Sequence, residues 1–196
     1  MHINECRSTK LEQSAQMFLP IEIQNVTGGE GLDQVRLLLR AYTDFLSAST
    51  VPGEIDLGRR LAELANLPGA NAPPLGALLL AQVNGEPVGC VAFGPITLSS
   101  GEIVAELRRM WVLPKARGHS IGRALLVEAI SRTRSAGYKA IYLDCLFEVM
   151  PAAFRLYRSM GFEPTDRYKQ DHSVEKTAFL RLDTDKRNIK KGTLPE

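Results

Sequence analysis

From Glu106 to Leu126 the sequence passes from an apolar stretch carrying three charges, through a basic turn with two glycines, into apolar positions at helical spacing. A strand that enters a helix through so short a turn leaves the first N–H groups of that helix without intrahelical partners. Glycines let an anion approach those groups closely, and Arg117 and Arg123 flank the turn. The physical reading is an anion site at a helix N-terminus. The segment Arg117-Gly118-His119-Ser120-Ile121-Gly122 has neither the Lys-Ser/Thr pair of a nucleotide P-loop nor the three-glycine dinucleotide spacing. A generic glycine turn is the alternative, and the basic flanks argue against it.

The charge distribution points the same way. The chain carries a net charge of only +2, yet Arg108 to Arg134 holds seven Lys/Arg against Glu128 alone, so the remainder is acidic. A basic centre in an acidic chain suits a compact polyanion, whereas a nucleic-acid track needs a wider basic face; nucleic acid is not an expected partner. With 196 residues, 44% of them hydrophobic, one domain with a full core is expected. It is assigned to residues 18–183, with a polar extension at 1–17 and a charged tail at 184–196. The longest apolar run, Ala77 to Ala81, is far shorter than the roughly 20 residues of a membrane span. Residues 1–16 lack the apolar core of a signal peptide. Cys6, Cys90 and Cys145 form no even framework, and the last two sit in apolar runs. A cytoplasmic protein without membrane contact is expected, with a homodimer left open. The three histidines have no metal-ligand spacing with these cysteines, so no metal is expected.

The order of elements follows from periodicity. Alternation predicts a strand within Phe18–Val26, and residues at helical spacing predict a helix over Asp33–Ser47 with Asp33 near its start. A shorter helix is predicted from Asp56 to about Asn66, followed by a stiff, exposed loop over Pro68–Pro74 that shapes an acceptor pocket. Leu75–Val83 and Pro87–Leu98 flank Asn84-Gly85, a strong hairpin signal. Ile103–Leu113 is apolar on both alternating faces apart from Glu106, Arg108 and Arg109, which places it centrally and requires those charges to be paired or to face a cleft. A helix ending at Gly137, a parallel strand at Ala140–Leu146, a helix over Met150–Met160, and strands at Phe162–Tyr168 and Thr177–Leu182 complete the pattern.

Two motifs in this order make the chain resemble a known family. The run Arg-Gly-x-x-Ile-Gly-Arg-Ala-Leu-Leu after Val-x-Pro, and Ala-x-x-Leu-Tyr-x-x-x-Gly-Phe from Ala153 to Phe162, are similar to the acetyl-CoA binding core of the GNAT N-acetyltransferase superfamily. Leu67 to Gly76 is similar to a loop in a subgroup of small bacterial members whose acceptors are mostly unassigned. The resemblance implies an α/β (α+β mixed) fold: a central mixed, mostly antiparallel sheet flanked by helices on both faces. It implies acetyl transfer from acetyl-CoA to a primary amine of a small molecule, amino acid or peptide, by direct attack in a ternary complex. A non-catalytic acyl-CoA binding or sensor domain is the competing expectation.

On this resemblance, Arg117, Gly118, His119, Ser120, Ile121, Gly122 and Arg123 surround the cofactor pyrophosphate, and Met110, Trp111 and Val112 run along its pantetheine arm. Ser120 replaces the family's usual middle glycine, a strained choice if the backbone there needs positive φ. Tyr157 resembles the general acid that protonates the leaving thiolate; a core tyrosine is the alternative. Glu106 is the candidate base, directly or through water, or else the partner of Arg108 or Arg109 in an ion pair. Asp144 and Glu148 are weaker base candidates. Arg158 is placed at the 3′-phosphate or in solvent, His119 at phosphate or in solvent, and Cys145 reads as an inert buried thiol rather than a covalent carrier.

Overall fold

The computed structural model describes residues 20–51, 56–169 and 176–185. Seven strands form one sheet in the order β1-β2-β3-β4-β5-β7-β6. These are β1 (Ile21–Asn25), β2 (Ala77–Val83), β3 (Glu86–Thr97), β4 (Ile103–Val112), β5 (Ala140–Leu146), β6 (Glu163–Pro164) and β7 (Thr177–Asp183). Only β4 and β5 run parallel. The crossover between them is α3 (Ile121–Ser135); α1 (Gly29–Ser49), α2 (Leu57–Ala65) and α4 (Pro151–Ser159) complete the helices. The mixed, mostly antiparallel sheet covered on both faces agrees with the fold expected above.

The continuous apolar run of β2 has a simple cause: both faces of the strand are buried. Leu79 packs with Val91, Phe93 and Leu107 beneath Leu125, Leu126, Ala129 and Ile130 of α3. Leu78 and Leu80 point the other way, with Cys90 and Ala92, onto Val35, Leu38 and Leu39 of α1. Each such leucine contributes about 1.5–3 kcal/mol on burial. The β2–β3 hairpin closes through Asn84 (φ 53°) and Gly85 (φ 78°), the two consecutive positive φ values of a type I′ turn. Asp56 caps α2, its Oδ1 accepting the Arg59 N–H at 2.9 Å. Glu128 and Arg132 pair at 2.7 Å, one turn apart on α3.

Three expectations are corrected. Helix α1 begins at Gly29 rather than near Asp33, and Asp33 instead bonds Arg36 at 2.8 Å. The strand expected over Phe162–Tyr168 shrinks to Glu163–Pro164, with one further bond to β7 from the Thr165 N–H to the Phe179 carbonyl at 3.0 Å. The 68–74 loop is only partly exposed: Gly69–Asn71 form a short 3-10 turn and Asn71 is buried. Thr184, assigned above to the tail, is also buried, its hydroxyl donating to the Tyr138 carbonyl at 2.5 Å. The extension at 1–17 lies outside the described residues. Among the described residues no helix is long and apolar enough to cross a membrane.

The 3-10 turn is seated on the sheet by two glycines without room for a side chain. A Cβ at Gly76 would stand 2.7 Å from the Asn71 backbone, and one at Gly94 would overlap the Ala70 carbonyl. Backbone atoms cannot rotate away as side chains do. Gly94→Ala is therefore expected to cost about 1–3 kcal/mol through overpacking, read as a lower midpoint in chemical denaturation with unchanged slope. An unchanged midpoint would show that the turn is not held against β3.

Candidate active site

The centre of the molecule is a gap inside the sheet. Strands β4 and β5 pair only at Ala105–Ile141 and Glu106–Tyr142, so β4 beyond Glu106 has no strand partner on that edge among the described residues. On its other edge the register with β3 slips between Ala92–Arg108 and Cys90–Trp111, and Arg109 adopts φ 58°. This bulge adds one residue and reverses the alternation of faces. Arg108 and Arg109 both line the α2 side, after which Met110 packs toward α3 and Trp111 toward α1. The three charges embedded in an otherwise apolar strand thereby share one cleft.

That cleft, about 470 Å³, is walled by α2, the 3-10 turn, the charged face of β4, Asp144 and Leu146 of β5, Lys169 and Thr177. Glu106 is 5% exposed. Its Oε1 accepts from Lys169 Nζ at 2.6 Å and from the Tyr168 hydroxyl at 3.0 Å, and its Oε2 lies 3.6 Å from Arg108 Nη1. Lys169 also bonds Asp144 Oδ1 at 2.6 Å. Burial alone would lower the pKa of Lys169, but the two carboxylates outweigh it and hold the value above that of a free lysine. Arg109 pairs instead with Glu63 of α2 through a two-pronged contact, Nε to Oε1 at 3.1 Å and Nη2 to Oε2. Burial first, then the neighbouring Arg60, depress Arg109 to about 10. Glu148, the other weak base candidate, lines neither this cleft nor the next and pairs with Lys176 at 2.6 Å.

A second cleft of about 530 Å³, predominantly apolar, opens on the α3 side of the gap. Met110, Trp111 and Val112 form its floor, Arg117, Gly118, Ser120, Ile121, Gly122 and Arg123 one end, and Met150, Pro151 and Ala153 of α4 the facing wall. Tyr42 joins the two clefts: it lines the polar one, stacks on Trp111 with centroids 5.2 Å apart, and donates its hydroxyl to Met150 Sδ at 3.7 Å. Gly118 (φ 84°) and Ser120 (φ 60°) are both left-handed. Position 120 thus does require positive φ, and serine holds it at a cost of roughly 1 kcal/mol or more. No side chain caps α3, and its first turn contains no acid, so the exposed N-terminal N–H groups are left for an anion. Arg117 lies over the Trp111 ring at 4.8 Å, with Nε donating to the Val112 carbonyl at 3.1 Å.

The remaining expected residues lie elsewhere. His119 is exposed and does not line the cleft. Arg158 occupies the far end of α4, bonded to the Phe162 carbonyl at 2.6 Å and to Glu163 at 2.7 Å. Tyr157 lines neither cleft: it is 5% exposed, packs edge-on against Phe162 at 5.8 Å, and has Cys145, Tyr42 and Asp144 near enough to act on its hydroxyl. Burial chiefly, then Cys145, Tyr42 and Asp144, push its pKa well above the ordinary tyrosine value, so the phenol stays protonated. Cys145 is itself pushed to about 12 by burial and is a thiol at neutral pH.

This architecture matches known proteins. The model of the Acetyltransferase (GNAT) family matches residues 38–162, more than half of the chain. The chain belongs to the GNAT acetyltransferase family. An uncharacterized N-acetyltransferase of Schizosaccharomyces pombe is 31% identical over 167 residues, covering 85% of this chain and 96% of that protein. A GNAT acetyltransferase of Staphylococcus aureus aligns with a TM-score of 0.67 at 19% identity, over 84% of this chain and 99% of that one. An acetyltransferase of Salmonella typhimurium, solved with acetyl-CoA, aligns with a TM-score of 0.58 at 22% identity, over 86% and 96%. At these identities the two structures show a shared GNAT fold.

Sequence reasoning did not single out Tyr42, Arg60, Glu63, Asn71 or Lys169 as parts of this GNAT site. Asn71 and Glu63 carried a local signal, since they lie in or next to the loop already assigned to an acceptor pocket. Nothing local tied Lys169 to Glu106: the two are 63 residues apart, and only the fold brings their side chains together.

Proposed function

We propose that this GNAT protein transfers the acetyl group of acetyl-CoA to a primary amine by direct attack in a ternary complex. The observation that carries the reading is the unpaired edge of β4 where the two clefts meet. An edge without a strand partner suits an extended amide chain, so Met110 to Val112 are assigned to the pantetheine arm, with the Val112 carbonyl already taken by Arg117 Nε. The left-handed backbone at Gly118 and Ser120, the uncapped start of α3, and Arg117 and Arg123 suit the pyrophosphate. Acetyl-CoA supplies the acetyl group as a thioester. Its acceptor is assigned to the polar cleft, where Glu106 receives a proton from the attacking ammonium, directly or through water. Tyr157, protonated at neutral pH, is assigned to donate to the departing thiolate.

The engagement of Glu106 by Lys169 favours one second reading, an acyl-CoA binding domain without catalysis, because a carboxylate held by an ammonium is a weak base. Two measurements separate the readings. Acetyl-CoA at 100 times its Kd is expected to stabilise the fold by about 2.7 kcal/mol through mass action. A denaturation midpoint that ignores acetyl-CoA overturns both readings. A stabilised protein that releases no CoA thiol across amines, amino acids and peptides leaves the binding domain.

A further inference from the structure

The wall of the polar cleft holds polar groups that the protein itself leaves unsatisfied. Four buried side-chain polar atoms among the described residues have no hydrogen-bond partner, and three of them, Asn71 Oδ1, Arg108 Nε and Thr177 Oγ1, belong to residues lining this cleft. Asn71 is only 3% exposed, and its Nδ2 is already committed to the Pro68 carbonyl at 2.9 Å, which fixes Oδ1 as the free acceptor. Leaving such groups unmet is costly, so concentrating them in one wall marks a place completed by a polar occupant.

The charges in the cleft are sorted by position. On the sheet side two carboxylates, Glu106 and Asp144, share the Lys169 ammonium. On the α2 side Arg59, Arg60 and Arg109 stand against Asp56 and Glu63, an excess of one positive charge. Arg60 crosses the Tyr42 ring at 5.6 Å and forms no ion pair with a carboxylate among the described residues, while Glu63 is committed to Arg109.

Resting on the acetyl-transfer reading above, we infer that the acceptor is a small amine that also carries a carboxylate, an α-amino acid or close analogue. The Arg60 guanidinium receives its carboxylate, and its N–H groups face Glu106 and the free Asn71 oxygen. A polyamine would instead add positive charge beside Arg60 and Arg109. The cleft volume, about 470 Å³, accommodates a small molecule of this class. The transfer balances without a further reagent. The amine nitrogen forms a bond to the acetyl carbon and the carbon–sulfur bond breaks; the ammonium loses two protons, one through Glu106 to solvent and one that restores Tyr157 after it has protonated the sulfur, which leaves as thiol.

The test measures CoA thiol release from acetyl-CoA with the standard L-amino acids, their α-amides and the corresponding decarboxylated amines. At least one amino acid is expected to exceed its own amide by about tenfold or more in kcat/KM, and Arg60→Met is expected to collapse that ratio toward unity. Stabilisation by acetyl-CoA is measured on both proteins, so that a misfolded variant is recognised. A second variant, Asn71→Ala, withdraws the accepting oxygen and is expected to raise KM for the preferred amino acid while stabilisation by acetyl-CoA is retained; an unchanged KM removes Asn71 from the acceptor site. Equal use of acids and amides, or turnover of the decarboxylated amines alone, overturns the acceptor class alone; no turnover of the panel by a protein that binds acetyl-CoA overturns the acceptor class and leaves the transferase reading to the peptides of the thiol-release screen above. Failure to bind acetyl-CoA overturns the transferase reading and the acceptor class with it.

Discussion

Replacing Lys169 with methionine is expected to lower stability by about 3 kcal/mol at neutral pH, the lower end for breaking a buried ion pair. Lys169, Glu106 and Asp144 have side-chain exposures of 21%, 7% and 23%, so solvent screens the triad only partly. Removing the ammonium leaves two carboxylates in one cleft without their shared cation. The sign of the pH dependence follows from Lys169 itself. Its pKa in the fold is raised above the ordinary 10.5, so the folded state holds the proton more tightly than the unfolded chain. That contribution is fully present below about pH 10.5 and is lost as pH rises through the folded value. In urea titrations the gap between wild type and Lys169→Met should stay constant from about pH 7 to pH 9 and narrow above about pH 10.5. A gap that has closed by pH 9, or no gap at all, would show that Lys169 does not bridge the carboxylates.

The largest effect on catalysis is expected at Tyr157. Tyr157→Phe should reduce kcat by about 10²–10⁴-fold, the usual worth of a positioned proton donor, with little change in acetyl-CoA affinity. The substitution removes one oxygen and keeps the ring against Phe162, so the fold should survive it. Because Tyr157 is held protonated well beyond neutral pH, the variant should retain the shape of the wild-type pH profile below about pH 9 and merely scale it down. Tyr42→Phe is the informative control, since Tyr42 also has a raised pKa and stands where the clefts meet. Turnover unaltered in Tyr157→Phe would remove the acid role, and a loss confined to Tyr42→Phe would transfer it.

What could be read in advance depended on how far apart the interacting groups lie in the chain. The Asn84-Gly85 hairpin is settled within a few residues and appears in the structure as predicted; the Asp56 cap, the Glu128–Arg132 pair and Pro151 in the first turn of α4 are equally local. The partner of Glu106 was narrowed to Arg108 or Arg109, two neighbours along the strand. Arg108 does approach it, but the shorter bond comes from Lys169, and Arg109 is diverted to Glu63. Strict alternation along Ile103–Leu113 also failed at one residue, because the Arg109 bulge turns the strand over midway.

The sequence by itself determined the strand-turn-helix unit at the centre, the hairpin before it and the order of the later elements. Those depend on backbone hydrogen bonding, turn chemistry and apolar period, all of which act over short spans of chain. Only the tertiary structure decided that β4 and β5 part after Glu106, and that Arg108 and Arg109 share a face. It also brought α2, the Asn71 turn, Asp144 and Lys169 around one polar cleft. Buried charges take the nearest partner in space, and that choice exists only after the sheet has closed around them.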